Sequence, residues 1–138
     1  MKKLALIFTL LLYGSCEKDV FDENYRYLYG DWIPLQLSFG TNYIANPELL
    51  GDLIQIIKKD SYNLIKNDRI IETGKIVVEL QTKTKLQLRF VPKEPYSGSE
   101  TFVRLPFSTL NIVTYTQDLI LLHNNAPDGG YWSVCLLK

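Results

Sequence analysis

The chain has 138 residues, 15 basic and 15 acidic side chains, one histidine and two cysteines. That length holds one domain around one core. The balanced charge excludes a protein built to hold nucleic acid by electrostatics, and one histidine with two cysteines excludes a zinc cluster of the His/Cys kind.

Met1-Lys2-Lys3 is a short basic start, and residues 4–13 are an apolar run broken only by the hydroxyl of Thr9. The run is too short to cross a bilayer as a helix, which needs about 20 apolar residues. It has the layout of a cleavable secretory signal, closed by the small residues Gly14 and Ser15 and then Cys16. Gly14-Ser15-Cys16 resembles the bacterial lipobox, with Tyr13 where leucine is commonest. The resemblance implies that Cys16 becomes the mature N-terminus and carries acyl chains, which hold a protein stably on a membrane when two or more are present. An ordinary cleaved signal that releases a soluble protein is the alternative.

Removing the first 15 residues leaves 123 of 138 and takes Lys2 and Lys3 away, so 13 basic face 15 acidic residues, a net charge of −2. Glu17-Lys18-Asp19 and Asp22-Glu23 form an acidic tether over residues 16–29. It resembles the acidic stretch that directs lipoproteins to the cell surface in Bacteroidetes-like bacteria; a merely solvated linker is the alternative. Cys135 is then without an intramolecular partner and reads as a buried, unreactive thiol in an apolar strand. If Cys16 carries no lipid, a 16–135 disulfide competes.

Tyr25, Tyr27 and Tyr29 alternate with Arg26 and Leu28, as a short strand or as a coil laying rings against the domain. From Gly30-Asp31-Trp32 the domain opens. Ile33, Leu35, Leu37 and Phe39 alternate with Pro34, Gln36 and Ser38, which predicts a strand with one buried face. Trp32 falls on the opposite alternation unless Pro34 marks a bulge. Residues 46–51, Asn-Pro-Glu-Leu-Leu-Gly, carry the cap, first-turn proline and terminal glycine of one helical turn.

Strands are predicted over 52–58, 62–66, 70–71, 75–80, 86–90, 102–107, 110–115, 119–123 and 131–137, with turns at Asn67-Asp68, Thr73-Gly74 and 116–118 and loops at 92–99 and 124–130. A row of about eight or nine short strands with no crossover helix favours antiparallel neighbours. Such a row buries one face and hides its edges best as a small up-and-down barrel over 30–138, with a two-sheet sandwich as the alternative.

Gly30-Asp31-Trp32, opening this row, resembles the Gly-x-Trp start of a lipocalin-like barrel, and the pattern of the whole mature domain is similar to small lipocalin-like lipoproteins of Bacteroidetes-type bacteria. Lipocalins place an arginine in the last strand over the first-strand tryptophan. Residues 131–137 contain none, and Lys138 is the only cation nearby. The Thr-Asp-Tyr motif of the larger family is absent as well.

No constellation for catalysis stands out. His123 ends an apolar strand, and Ser108 and Ser133 lie in no nucleophile context. There is no phosphate loop, and Asp128-Gly129-Gly130 lacks the spacing of a calcium loop. The expectation is a non-enzymatic protein without cofactor or metal, anchored to the outer membrane through Cys16, at its periplasmic face or on the cell surface. Small barrels hold one ligand or are filled by their own side chains. The candidate ligand-binding residues are Trp32, Phe90 and Trp132, the two tryptophans lying on neighbouring first and last strands. The two tryptophans read first as a core plug closing one barrel end, with an aromatic wall for an apolar ligand as the functional alternative. Ile76, Leu80, Leu86, Leu88 and Phe90 are large inward residues that favour a narrow or filled interior. The alternative to a carrier of a small apolar ligand is therefore an accessory subunit of an envelope complex, whose contacts are residues 25–29, 92–99 and 124–130.

Overall fold

Period-two alternation of apolar and polar residues dictates strands with one buried face, and nine strands form among the described residues. The computed structural model describes residues 19–39, 42–44, 51–94, 109–124 and 132–138. The strands are β1 (Gly30–Phe39), β2 (Asn42–Ile44), β3 (Leu53–Ile57), β4 (Ser61–Lys66), β5 (Arg69–Gln81), β6 (Leu86–Pro92), β7 (Leu110–Thr116), β8 (Leu119–Asn124) and β9 (Trp132–Leu137). A 3-10 helix, Glu23–Leu28, precedes them. The predicted helical turn at 46–51 lies outside the described residues except for Gly51, as do the predicted strand at 102–107, most of the loops at 92–99 and 124–130, and the signal with Cys16.

Every strand pairs antiparallel with its neighbour in the order β2-β1-β3-β4-β5-β6-β7-β8-β9, and β1 also pairs with β9. Eight strands thus close into an up-and-down barrel, and β2 rides as a short flap on the far half of β1, where Leu37 faces Ile44. β1 serves three partners by dividing its length. Gly30, Asp31 and Trp32 pair with Ile56, Gln55 and Ile54 of β3. On the other edge, Ile33 through Phe39 run along β9.

Four bulges set which side chains point inward. The first falls between Pro34 and Gln36. It inserts Leu35 and reverses the phase of β1, so Trp32 and Pro34 are buried on one side of it and Leu37 on the other. The expectation that Ile33 and Leu35 share the buried face with Leu37 is corrected: both lie 46 % exposed on the outer wall. A bulge between Val78 and Leu80 likewise turns Leu80 outward, against its expected inward place. The predicted turn at Thr73-Gly74 is no turn. The chain runs straight through it, and the two short strands expected at 70–71 and 75–80 are one strand, β5. By contrast, Asn67 and Asp68 both take positive φ, 50° and 58°, and close β4 onto β5 as a two-residue hairpin.

The interior is apolar and layered. Trp32, Ile54, Ile56, Tyr62, Leu64, Ile76, Leu86, Leu88, Phe90, Ile120, Leu122, Val134 and Leu136 are all buried. The 3-10 helix covers one end, and the turns 58–60, 82–85 and 117–118 lie at that same end. There Val20 N–H donates to Lys59 O, Tyr25 Oη to Thr82 O, and Lys138 N–H to Asp118 O. The turn at 67–68, the ends of β6 and β8 and the starts of β7 and β9 lie at the other end, the mouth.

Candidate functional site

The closed end is built around Trp32. Its ring is buried, and its Nε1–H donates to Leu28 O at 2.8 Å, tying the first strand to the end of the 3-10 helix. Asp22 starts that helix by accepting from Asn24 N–H at 3.0 Å. Tyr25 and Leu28 enter the core from it and Phe21 from just before it, where Phe21 packs on Tyr29 with ring centroids 5.2 Å apart. Lys138, just past β9, lays its ammonium over the Trp32 ring, 5.4 Å from the centroid, and donates to Tyr27 O. Gly30 makes room for this. Its φ of +124° suits glycine, and a Cβ there would stand 3.2 Å from Lys138 Cε.

The aromatic run 25–29 is therefore largely spent on the cap rather than displayed as a contact surface. Burial pushes the phenol pKa of Tyr25 up, reinforced by the neighbouring Tyr27 and Asp22 charges, and burial also raises that of Tyr29.

Among the described residues, one polar pair spans the interior from β4 near the closed end toward the mouth. Tyr62 of β4 faces Gly74 of β5, and the absence of a side chain at Gly74 lets the ring lie across the strand; a Cβ would sit 2.6 Å from Tyr62 Cε1 and 2.2 Å from Val91 O. The ring meets Phe90 edge-on at 4.9 Å. Its hydroxyl reaches past Gly74 and donates to Glu72 Oε1 at 2.6 Å. Glu72 is only 7 % exposed and points inward, as does Asn124 of β8. A carboxylate inside an apolar barrel is the informative exception to the packing pattern, because burying charge is costly unless it is partnered. Sequence reasoning missed it. The signal was present: the alternation of Ile76 and Val78, carried back through Gly74, places Glu72 on the inner face.

Of the candidate ligand residues, Phe90 packs against this pair and Trp32 sits under the cap. The backbone of Trp132 pairs with Phe39 and Asn124, at the mouth; its side chain lies outside the described residues. β1 and β9 are neighbours, as the barrel requires, but they run antiparallel, so Trp32 and Trp132 stand seven residues apart along β1, about 20 Å at ~3.3 Å per residue. The structure does not bring them together. His123 sits on the outer wall between Asn111 and Ser133. Cys135 is half-buried on that wall, and burial pushes its thiol pKa up. Among the described residues no group of His, Cys, Asp and Glu is placed to hold a metal ion.

No family model matches the chain, and neither does any curated protein or solved structure. Its chemistry is therefore read from the geometry. Among the described residues the interior thus holds a Glu72 carboxylate hydrogen-bonded to the Tyr62 phenol and, on β8, the Asn124 amide, amid buried Leu, Ile and Phe.

Proposed function

We propose that the protein is a membrane-anchored, lipocalin-like barrel that binds a small, largely apolar ligand at its mouth and catalyses no reaction. The observation that carries the reading is the buried Tyr62–Glu72 pair, 2.6 Å apart, set beside Phe90 in an otherwise apolar interior. The barrel's two ends differ in kind. One is covered by the 3-10 helix, Trp32 and Lys138, and the buried Glu72 and Asn124 lie toward the other. The cation stacked on the first-strand tryptophan supports the lipocalin-like reading, with Lys138 in the role that the resemblance gives to arginine. In this reading Cys16 carries acyl chains and the domain sits at the outer membrane.

The filled lower layers, where Trp32, Ile54, Leu86 and Leu136 leave essentially no exposed surface, favour a second reading: a rigid accessory module of an envelope complex. Native mass spectrometry of the full chain, extracted gently from its membrane, separates the two. A carrier shows a mass excess beyond the N-terminal lipid that is lost on collisional activation, and Glu72→Gln reduces that excess at least fivefold while the lipid stays. A co-extracted protein with no small-molecule excess supports the accessory module. An unmodified Cys16 removes the anchor from either reading.

A further inference from the structure

The outer wall of the barrel is not uniform. β1, β7, β8 and β9 contain a single charged residue, Asp31 at the closed end, whereas β4 to β6 carry Lys66, Arg69, Lys75, Glu79 and Arg89. The pairing registers align the outward side chains of the uncharged half into rows. Val113 faces Leu121, Leu121 faces Cys135, and Cys135 faces Gln36. One step toward the closed end, Leu119 faces Leu137 and Leu137 faces Ile33. The bulge residues Leu35 and Tyr115 fill in beside them. One step toward the mouth, Asn111, His123, Ser133 and Ser38 form a polar row that bounds the patch.

Ile33, Leu35, Val113, Tyr115 and Leu137 are between 38 % and 60 % exposed. With their half-buried neighbours they present on the order of 500–600 Å² of contiguous apolar surface, the upper end of what a monomer leaves open. That is most of the roughly 800 Å² that each partner contributes to a stable interface.

We propose that this wall is the interface of a homodimer, with β1, β9, β8 and β7 of one copy packed against the same strands of a second. The absence of charge decides between occupants. Apolar rows without Lys, Arg, Asp or Glu bring no like-charge repulsion against their own copy, and a two-fold axis through the Val113–Leu121–Cys135 row lays each apolar row on its counterpart. A lipid bilayer fits less well. The patch is two rows tall and covers half the circumference, whereas a barrel in a membrane carries an apolar band about 25 Å tall around its whole wall. The inference does not depend on Cys16 or on the ligand.

Cys135 lies in the central row and reports on the arrangement. In membranes carrying the full chain, a short bismaleimide should join two copies through Cys135, and Cys135→Ser should abolish the product. Sedimentation of the detergent-extracted chain should give twice the protomer mass. Ile33→Lys and Val113→Lys, both at exposed positions, should each lower the cross-linked fraction at least tenfold without changing the circular dichroism spectrum. Val77→Lys, an exposed position on the opposite wall, should leave it unchanged. A protomer mass with no cross-link overturns the proposal. So does a dimer insensitive to both wall substitutions, a cross-link to a different protein, or a monomer whose Cys135 is protected only when lipid is present.

Discussion

Gly74 and Tyr62 show how one residue without a side chain shapes its surroundings. The ring of Tyr62 occupies the space that a Cβ at 74 would need, and Val91 O closes the other side at 2.2 Å from that position. Strand glycines are otherwise unfavourable, since they lose backbone entropy and pack nothing. Here the glycine lets a phenol cross β5 and reach Glu72. Gly74→Ala therefore displaces the ring or the β5–β6 pairing. We expect it to cost about 2–4 kcal/mol, in the range of overpacking plus a broken buried hydrogen bond, measured by urea unfolding. A loss under 0.5 kcal/mol would mean that the ring has another way out.

At the scale of elements, one tie between the cap and the barrel works only while its side chain is uncharged. Tyr25 Oη donates to Thr82 O at 2.8 Å and cannot do so as a phenolate. Burial holds its pKa above the ordinary value of 10.0, and that of Tyr29 likewise. The folded state thus binds these protons more tightly than the unfolded chain. Their contribution to stability is complete below pH 10 and is lost as the pH rises through the raised folded-state values. Titration of a Trp132→Phe variant from pH 8 to 12, followed by tyrosinate absorbance and by Trp32 fluorescence, should show the cap loosening only above pH 10. Tyr25→Phe should flatten that alkaline loss. β1 carries a second element-scale lesson. Its bulge at Leu35 lets one strand bury Trp32 under the cap and Leu37 in the barrel, although the two fall on opposite alternations.

For the whole molecule, the cap fixes how the barrel stands if Cys16 is acylated as proposed. Val20 is already bonded to Lys59 at the closed end. Four residues from Cys16 to Val20 span at most about 14 Å of extended chain. The closed end then faces the membrane and the mouth faces away, leaving the ligand site open to the aqueous side. A fluorophore on a cysteine at position 83 should be quenched by lipid-borne quencher at least threefold more than one at position 68. Equal quenching would dispose of this orientation. Two copies held upright on one membrane also meet wall to wall, the geometry in which the uncharged strands can pair.

Much of this architecture was legible in the residues. The period of two in β3, β4, β6, β8 and β9 gives strands because each such stretch has one face to bury and the other to wet, a local property. Asn67-Asp68 gives a hairpin because those two side chains tolerate positive φ. Gly30 and Trp32 mark the start of the barrel. The tertiary structure decided what depends on partners distant in sequence. The bulges set the inward phase of β1 and β5 by register with β9 and β6. Thr73-Gly74 reads as a turn in isolation, yet it is strand because Tyr62 needs the vacancy. Lys138 finds Trp32, and Glu72 finds Tyr62, only once the barrel closes. Antiparallel closure likewise sends Trp32 and Trp132 to opposite ends, a separation that composition and spacing cannot express because it follows from the direction in which the last strand meets the first.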